Sequence, residues 1–205
     1  MTYLSDHLTV EEVNAASSWP MSNQAAANIP DLATQFEAIR AAGGSAPITL
    51  TSFYRSAVKN LIVGGASNSD HLTGEAWDGV PQGVDLETWA RSVIGAINAG
   101  STPAVGQLII YPYSDGHVHV SFAGARGKLN EFYVEVAGSG PNRYAPWDGV
   151  SALPQWTGDT SSGAPADPGL PTDEGAADNT GRTLLFLFVA FLLLWGIFAA
   201  DHSGD

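Results

Sequence analysis

Apolar residues recur at helical spacing in two stretches of the chain, residues 29–44 and 84–100. The stripes are formed by Leu32, Phe36 and Ile39 in the first stretch and by Leu86, Trp89, Val93 and Ile97 in the second. Each pattern predicts an amphipathic helix. Near the start of the chain, the run from Thr9 to Glu12 fits a capping box that opens a further short helix.

Four other stretches are short, rich in β-branched and aromatic residues, and typical of strands. They are residues 47–53, 107–112, 117–122 and 131–136. Because helices dominate the first part of this region and strands the second, the pattern predicts an α+β domain. Its expected form is a small, mainly antiparallel sheet with flanking helices.

Beyond residue 152 the pattern changes twice. Residues 153–182 are rich in Pro, Gly, Ser, Thr and Asp, which predicts a flexible linker. Residues 183–200 contain no charge and approach the ~20 residues that cross a bilayer, which predicts a transmembrane helix followed by a short tail at 201–205. The folded domain is then expected within residues 1–152. Because the first residues lack the pattern of a secretory signal, we expect a single-pass C-terminal anchor.

Composition narrows the possible functions. The chain has a net charge of −13, which argues against a nucleic-acid partner because phosphate binding requires a basic face. It contains no cysteine, so any metal ligands must come from His, Asp and Glu.

Three of the five histidines lie in two short polar motifs. In the strand at 117–122, side chains alternate between faces, so His117 and His119 share one face. Together with His71 and Asp78, His119 would provide two imidazoles and a carboxylate, leaving a fourth position for water as catalytic zinc requires. The residues by themselves leave open a second interpretation, in which these are an ordinary polar loop and a structural strand.

The motifs also follow one another in a family-specific order. They read LSDHLTVEEV, PITLTSFYRS, SNSDHLTGEAWD and YPYSDGHVHVSF, and Ser69, His71, Gly74, Ala76 and Asp78 complete a Ser-x-His-x-x-x-Gly-x-Ala-x-Asp run. Over about residues 4–125 the chain resembles the zinc D-Ala-D-Ala carboxypeptidases and their phage endolysin relatives. These are peptidoglycan peptidases of the hedgehog-like fold.

The resemblance implies roles for individual residues. It makes His71, Asp78 and His119 the zinc ligands, and it makes Arg55 the residue that holds a substrate carboxylate or carbonyl. For the general base, His117 is the first candidate and Asp115 the alternative.

Other residues in or beside these motifs are expected to have supporting or surface positions. Ser69 is expected to orient a ligand by donating a hydrogen bond. Asp70 and Glu75 are expected at the solvated surface. Phe53 and Trp77 depart from the family pattern and are expected to reshape the pocket.

The function that follows is zinc-dependent hydrolysis of a peptide bond at a D-amino acid of the peptidoglycan stem peptide. Whether the enzyme is a carboxypeptidase or an endopeptidase stays open.

A lipid membrane is the second expected partner, through residues 183–200. Arg182 flanks this segment, and the positive-inside tendency then places the domain in the cytoplasm, away from the cell wall. We therefore expect a virion-associated or lysis-stage enzyme in a virion membrane or the host inner membrane. The alternatives are an inactive binding or structural virion module on the same fold, and a bacterial envelope enzyme that remodels the cell wall.

Overall fold

The structure is a computed structural model that describes residues 1–114, 116–136 and 144–154. Asp115 lies outside the described residues, as do nearly all of the predicted linker at 153–182, the apolar segment at 183–200 and the tail at 201–205. Among the described residues, no helix is both long enough and apolar enough to cross a membrane.

Five α-helices and two 3-10 helices are found among the described residues. The α-helices are α1 (Val10–Ala15), α2 (Asn23–Ala27), α3 (Ile29–Ala42), α4 (Ala57–Ile62) and α5 (Leu86–Asn98), and the 3-10 helices span Asp70–Leu72 and Ala125–Gly127. The predicted capping box is present at α1, where the Thr9 side chain accepts the Glu12 N–H and the Glu12 side chain accepts the Thr9 N–H. The two helices predicted from apolar spacing are α3 and α5.

The described strands form two sheets. The strands are β1 (Tyr3–Ser5), β2 (Leu8–Thr9), β3 (Ile48–Ser52), β4 (Ala76–Pro81), β5 (Val105–Ile110), β6 (Val118–Phe122), β7 (Glu131–Glu135) and β8 (Tyr144–Pro146). β1 and β2 form a hairpin, and the other six form a sheet of order β3-β4-β6-β5-β7-β8. Every pair in this sheet is antiparallel except β5 with β7. The predicted α+β class with a mainly antiparallel sheet is confirmed.

The two faces of the larger sheet differ in polarity, since one packs in the core and the other carries polar side chains. One face packs against α3 and α5 in a continuous apolar core, because alternate residues of each strand point to the same side. Its main members are Leu50, Trp77, Leu108, Ile110, Val118 and Val120 from the sheet, with Phe36, Ile39, Trp89 and Val93 from the helices. The residues between them face the other way, and this second face carries the polar side chains.

β4 was not predicted as a strand. Its sequence contains Asp78, Gly79 and Pro81, which are residue types that strands disfavour. It lies between β3 and β6 nevertheless, because its ladder to both neighbours supplies hydrogen bonds that local propensity does not measure.

Gly74 provides a test of how α2 packs against the segment before β4. Its φ is +69°, and a Cβ added there would lie 2.7 Å from Cα of Ala25 in α2. Gly74→Ala should therefore lower the free energy of unfolding by roughly 2–4 kcal/mol, through backbone strain and overpacking. Gly83→Ala is the matched control, since Gly83 has a φ of +70° but no atom within 4 Å of the added Cβ. Equal losses for both variants in denaturant unfolding would show that the contact with Ala25 does not matter.

Candidate metal centre

A cleft of about 500 Å³ lies on the polar face of the larger sheet. Alternate residues of the central strands line it, among them Asp78 from β4, Ile109 from β5 and His119 from β6. The opposite side is formed by α4 and the loop that leads to the 3-10 helix at Asp70–Leu72. The cleft therefore joins the sheet to the part of the sequence that contains the histidine motif.

The three predicted ligands meet in this cleft. His71 Nε2 lies 3.1 Å from Asp78 Oδ1 and 3.2 Å from His119 Nδ1, and the last two atoms are 2.9 Å apart. Ligand atoms bound tetrahedrally to zinc at 2.0–2.1 Å lie about 3.3 Å from one another. The geometry and the donor set of two imidazoles and one carboxylate therefore fit zinc. His71, Asp78 and His119 are also close enough to one another to hold a metal ion of any kind that binds nitrogen and oxygen ligands.

The 3-10 helix holds His71 in place. The Ser69 hydroxyl accepts the His71 backbone N–H at 3.4 Å, which caps this turn. The ring is fixed separately, since His71 Nδ1 lies 2.7 Å from the carbonyl oxygen of Phe53. A carbonyl can only accept, so Nδ1 carries the proton and Nε2 has a free lone pair to offer. Ser69 thus acts on the backbone of the ligand as an acceptor, and Phe53 provides the contact to the ring.

Strand register brings the other two ligands together. Asp78 of β4 is directly paired with His119 of β6, so their side chains point to the same face at adjacent positions. Ser52 of β3 is paired with Asp78 on the other side, after a bulge in the ladder. The bulge directs the end of β3 toward the cleft, where Arg55 follows.

The protonation states suit a metal ligand set. Burial by itself would raise the pKa of Asp78. Electrostatic attraction to His71 and hydrogen bonds with both histidines are stronger and hold that pKa well below its ordinary value. Burial lowers the pKa of His119 despite the opposing effect of Asp78. The carboxylate is therefore ionised and the His119 imidazole is neutral at pH 7, as metal coordination requires.

Arg55 lies beside the carboxylate ligand. Its Nη2 donates to Asp78 Oδ2, and its Nε donates to Ser52 Oγ at 2.9 Å. Its backbone N–H also donates to the carbonyl oxygen of His71 at 3.0 Å. Arg55 lines the cleft as predicted, and in addition it fixes the carboxylate that the metal would bind.

His117 also lines the cleft, two residues before His119 on the same face. Its ring stacks on Tyr111 with centroids 3.9 Å apart, and Tyr111 in turn meets Tyr144 edge to face at 5.5 Å. The turn between β5 and β6 is anchored by Glu135, whose Oε2 accepts the backbone N–H groups of Tyr113 and Ser114 at 3.0 Å each. The aromatic stack and this anchor limit the positions that the His117 ring can take.

The expectation that Asp70 lies at the solvated surface is wrong. Its side chain is 1% exposed and accepts from Arg126 Nε at 2.7 Å and from Lys128 Nζ at 3.1 Å. Glu75 is half-buried and accepts from the Thr73 hydroxyl at 2.6 Å. Of its two cationic partners, Lys128 also lines the cleft that contains the three ligands. Neither Arg126 nor Lys128 belongs to a recognisable motif, so the local sequence gives no sign of either partner.

Phe53 and Trp77 do not narrow the cleft through their side chains. Both are fully buried, and Trp77 packs on Phe36 at 5.4 Å while its Nε1 donates to Gln35. Both therefore belong to the core, and neither lines the cleft. The expectation that these two residues reshape the pocket is wrong.

The comparisons with known proteins agree with this site. The model of the peptidase M15 family matches residues 6–121, which is more than half of the 205-residue chain. The matched range contains all three proposed ligands and Arg55. The chain belongs to the peptidase M15 family, and the predicted class of zinc metallopeptidase is thereby confirmed.

One related protein is a zinc D-Ala-D-Ala carboxypeptidase of Streptomyces albus G. The two sequences are 37% identical over 95 residues, which is 46% of this chain and 34% of the relative. The chain thus spans about a third of the length of that relative. The family, this relative and the three converging ligand atoms together confirm zinc as the expected cofactor.

The geometry of the centre makes the metal content testable. The full-length protein reconstituted with zinc should carry about one zinc per chain, and His71→Ala should lose it. Loss of a bound ligand also removes stability, about 2.7 kcal/mol at a free zinc concentration 100 times Kd. His7→Ala is the matched control, because His7 pairs with Glu37 at 2.9 Å instead of joining the centre. Elemental analysis and thermal unfolding measure both effects. Folded wild-type protein that binds no divalent metal would contradict the assignment.

Proposed function

We propose that this protein is a zinc-dependent peptidoglycan peptidase that hydrolyses a peptide bond at a D-amino acid of the stem peptide. The observation that carries the proposal is the convergence of His71 Nε2, Asp78 Oδ1 and His119 Nδ1 within one cleft. The substrate class is supported by the relative from Streptomyces albus G, whose name gives D-Ala-D-Ala as its substrate.

The protein residues prepare the reaction in three ways. His71, Asp78 and His119 would hold the zinc, and Phe53 and Arg55 fix the orientation of two of these ligands. When bound, zinc supplies the Lewis acidity that activates water and polarises the scissile carbonyl. Arg55 also lines the cleft, where the guanidinium N–H groups that do not bond Asp78 or Ser52 would donate to the substrate oxygen on which negative charge develops.

A proton must also move during the reaction. The base takes a proton from the attacking water and later returns it to the leaving amine. We assign this task to His117, because it lines the cleft beside His119 and an imidazole can both accept and donate a proton. Asp115 stays the alternative and lies outside the described residues.

Digestion of purified peptidoglycan tests the activity and the base together. Mass spectrometry of muropeptides treated with the zinc-loaded full-length protein should show either loss of a terminal D-alanine or cleavage of a stem or cross-link bond. A chelator should abolish the change, and zinc should restore it. His117→Ala should keep its zinc and lower kcat by a factor of about 10²–10⁴, the usual contribution of general acid–base catalysis.

His7→Ala, at a surface histidine, is the control for loss of an imidazole. Full activity in His117→Ala would transfer the role of base to another residue. No mass change with zinc-loaded wild-type protein would contradict the proposed function.

We further propose that residues 183–200 anchor the enzyme in a membrane and that residues 153–182 tether the domain to it. The support is in the sequence, where eighteen consecutive residues carry no charge and a polar, Pro- and Gly-rich segment precedes them. A flexible chain as long as residues 153–182 spans on the order of 30 Å between its ends. Arg182 favours a cytoplasmic domain, where peptidoglycan is absent. Delivery by a virion or at lysis would bring the enzyme to its substrate.

Fractionation of the native source tests the anchor. The full-length protein should sediment with membranes and be released by detergent but not by high salt. Two charges at the middle of the segment, Leu187→Asp with Leu192→Asp, should move it to the soluble fraction, since each charge costs about 2.5–3.5 kcal/mol at the centre of a membrane helix. Soluble wild-type protein would contradict the anchor. Detection of the protein in purified virions would support the virion-associated setting. Detection only in the envelope of uninfected bacteria would support a bacterial envelope enzyme.

A further inference from the structure

A lysine of the cleft has no task in the mechanism described so far. Lys128 follows the 3-10 helix at Ala125–Gly127, and its side chain is only 13% exposed. It lines the same cleft as His71, Asp78 and His119. A nearly buried ammonium group is costly unless its donors are used, so its surroundings indicate what it does.

Two fixed acceptors hold the ammonium group. Nζ donates to Asp70 Oδ2 at 3.1 Å and to Gln107 Oε1 at 3.4 Å. Gln107 is held from its other end, where Nε2 donates to Glu131 Oε2 at 3.4 Å. A protonated lysine has three N–H donors, and no described residue is a partner for the third. Lys128 is therefore a preorganised cation with one donor left for a group that enters the cleft.

The local charge also favours an anion. Asp70 is shared between Lys128 and Arg126, so this pair of cations has one buried carboxylate between them. Arg55, by contrast, already donates to Asp78, which offsets its charge. A carboxylate in the cleft therefore gains more from Lys128 than a neutral carbonyl or amide would.

We propose that Lys128 is a substrate-binding residue that donates its third N–H to a carboxylate of the peptide, and that it makes the enzyme select peptides with that carboxylate free over amidated ones. This inference rests on the proposed peptidase function. The carboxylate is either the C-terminal group or an acidic side chain of the stem peptide, since both present the same acceptor oxygens.

Kinetics with matched peptides tests the proposal on the full-length, zinc-loaded protein. Three stem peptides are compared, one with all carboxylates free, one amidated at its C-terminus and one amidated at its acidic side chain. For Lys128→Met, KM for the free peptide should rise by about 10- to 100-fold, as expected for loss of a charge-assisted hydrogen bond. The zinc content should not change. The peptide whose amidation removes the difference between Lys128→Met and wild type identifies the carboxylate that Lys128 binds.

The double variant Asp70→Asn/Lys128→Met separates substrate binding from simple neutralisation of Asp70. It removes both charges of the pair, so a purely structural lysine predicts recovery of the wild-type KM and of carboxylate selection. We expect the selection to stay lost. Thermal stability is not the readout, because Asp70→Asn also removes the charge that pairs with Arg126. Arg40→Gln is the control for removal of a positive charge outside the cleft. Among the described residues, the Arg40 guanidinium donates only to the Ser45 carbonyl oxygen.

The outcomes are distinguishable. If wild-type protein cleaves the peptides and Lys128→Met has an unchanged KM for all three, the role of Lys128 is overturned and the peptidase function stands. If the double variant regains wild-type selection, Lys128 only neutralises Asp70, which also overturns the role. If zinc-loaded wild-type protein cleaves none of the peptides, the proposed function and this inference both fail.

Discussion

The pairing of Asp78 in β4 with His119 in β6 is the contact on which the site depends. The two residues are direct partners in an antiparallel ladder, which sets Oδ1 and Nδ1 2.9 Å apart. A slip of one residue would turn one of the side chains into the apolar core, because neighbouring strand residues face opposite sides. The same register buries Trp77 and Val120 against the helices. Core packing and ligand geometry are therefore set by one choice of register.

The centre is assembled from polar side chains that are held out of water and bonded to one another. Asp78 is nearly buried. Arg55 balances its negative charge at one oxygen, and the ring nitrogens of His71 and His119 lie beside the other. A metal ion at this position would complete the balance, since three lone-pair donors otherwise meet without a cation between them. The hydrogen bond from His71 to the Phe53 carbonyl oxygen fixes which nitrogen remains free. The protein thus determines the coordination geometry before any metal arrives.

Charge is distributed unevenly over this acidic chain. The sequence has 21 acidic and eight Lys and Arg residues, yet Arg55, Lys59 and Lys128 line the cleft. Of these three, Lys128 is paired with the buried Asp70, which Arg126 also contacts. Positive side chains are therefore concentrated at the cleft of an otherwise acidic chain.

The sequence by itself determined the parts that depend on local pattern. Apolar spacing located α3 and α5, the capping box located α1, and strand alternation placed His117 and His119 on one face. The order of the motifs identified the family. These predictions succeeded because their causes lie within a few residues of the chain.

Only the tertiary structure decided the rest, because it depends on pairings between distant segments. β4 has poor strand propensity, and its place in the sheet comes from its two neighbours. Asp70 looked like a surface residue, yet Arg126 and Lys128, more than fifty residues away, allow it to be buried. Trp77 was expected in the pocket, and the strand register turned it into the core instead. In each case the local sequence is compatible with either position, and the partner supplied by the fold makes the choice.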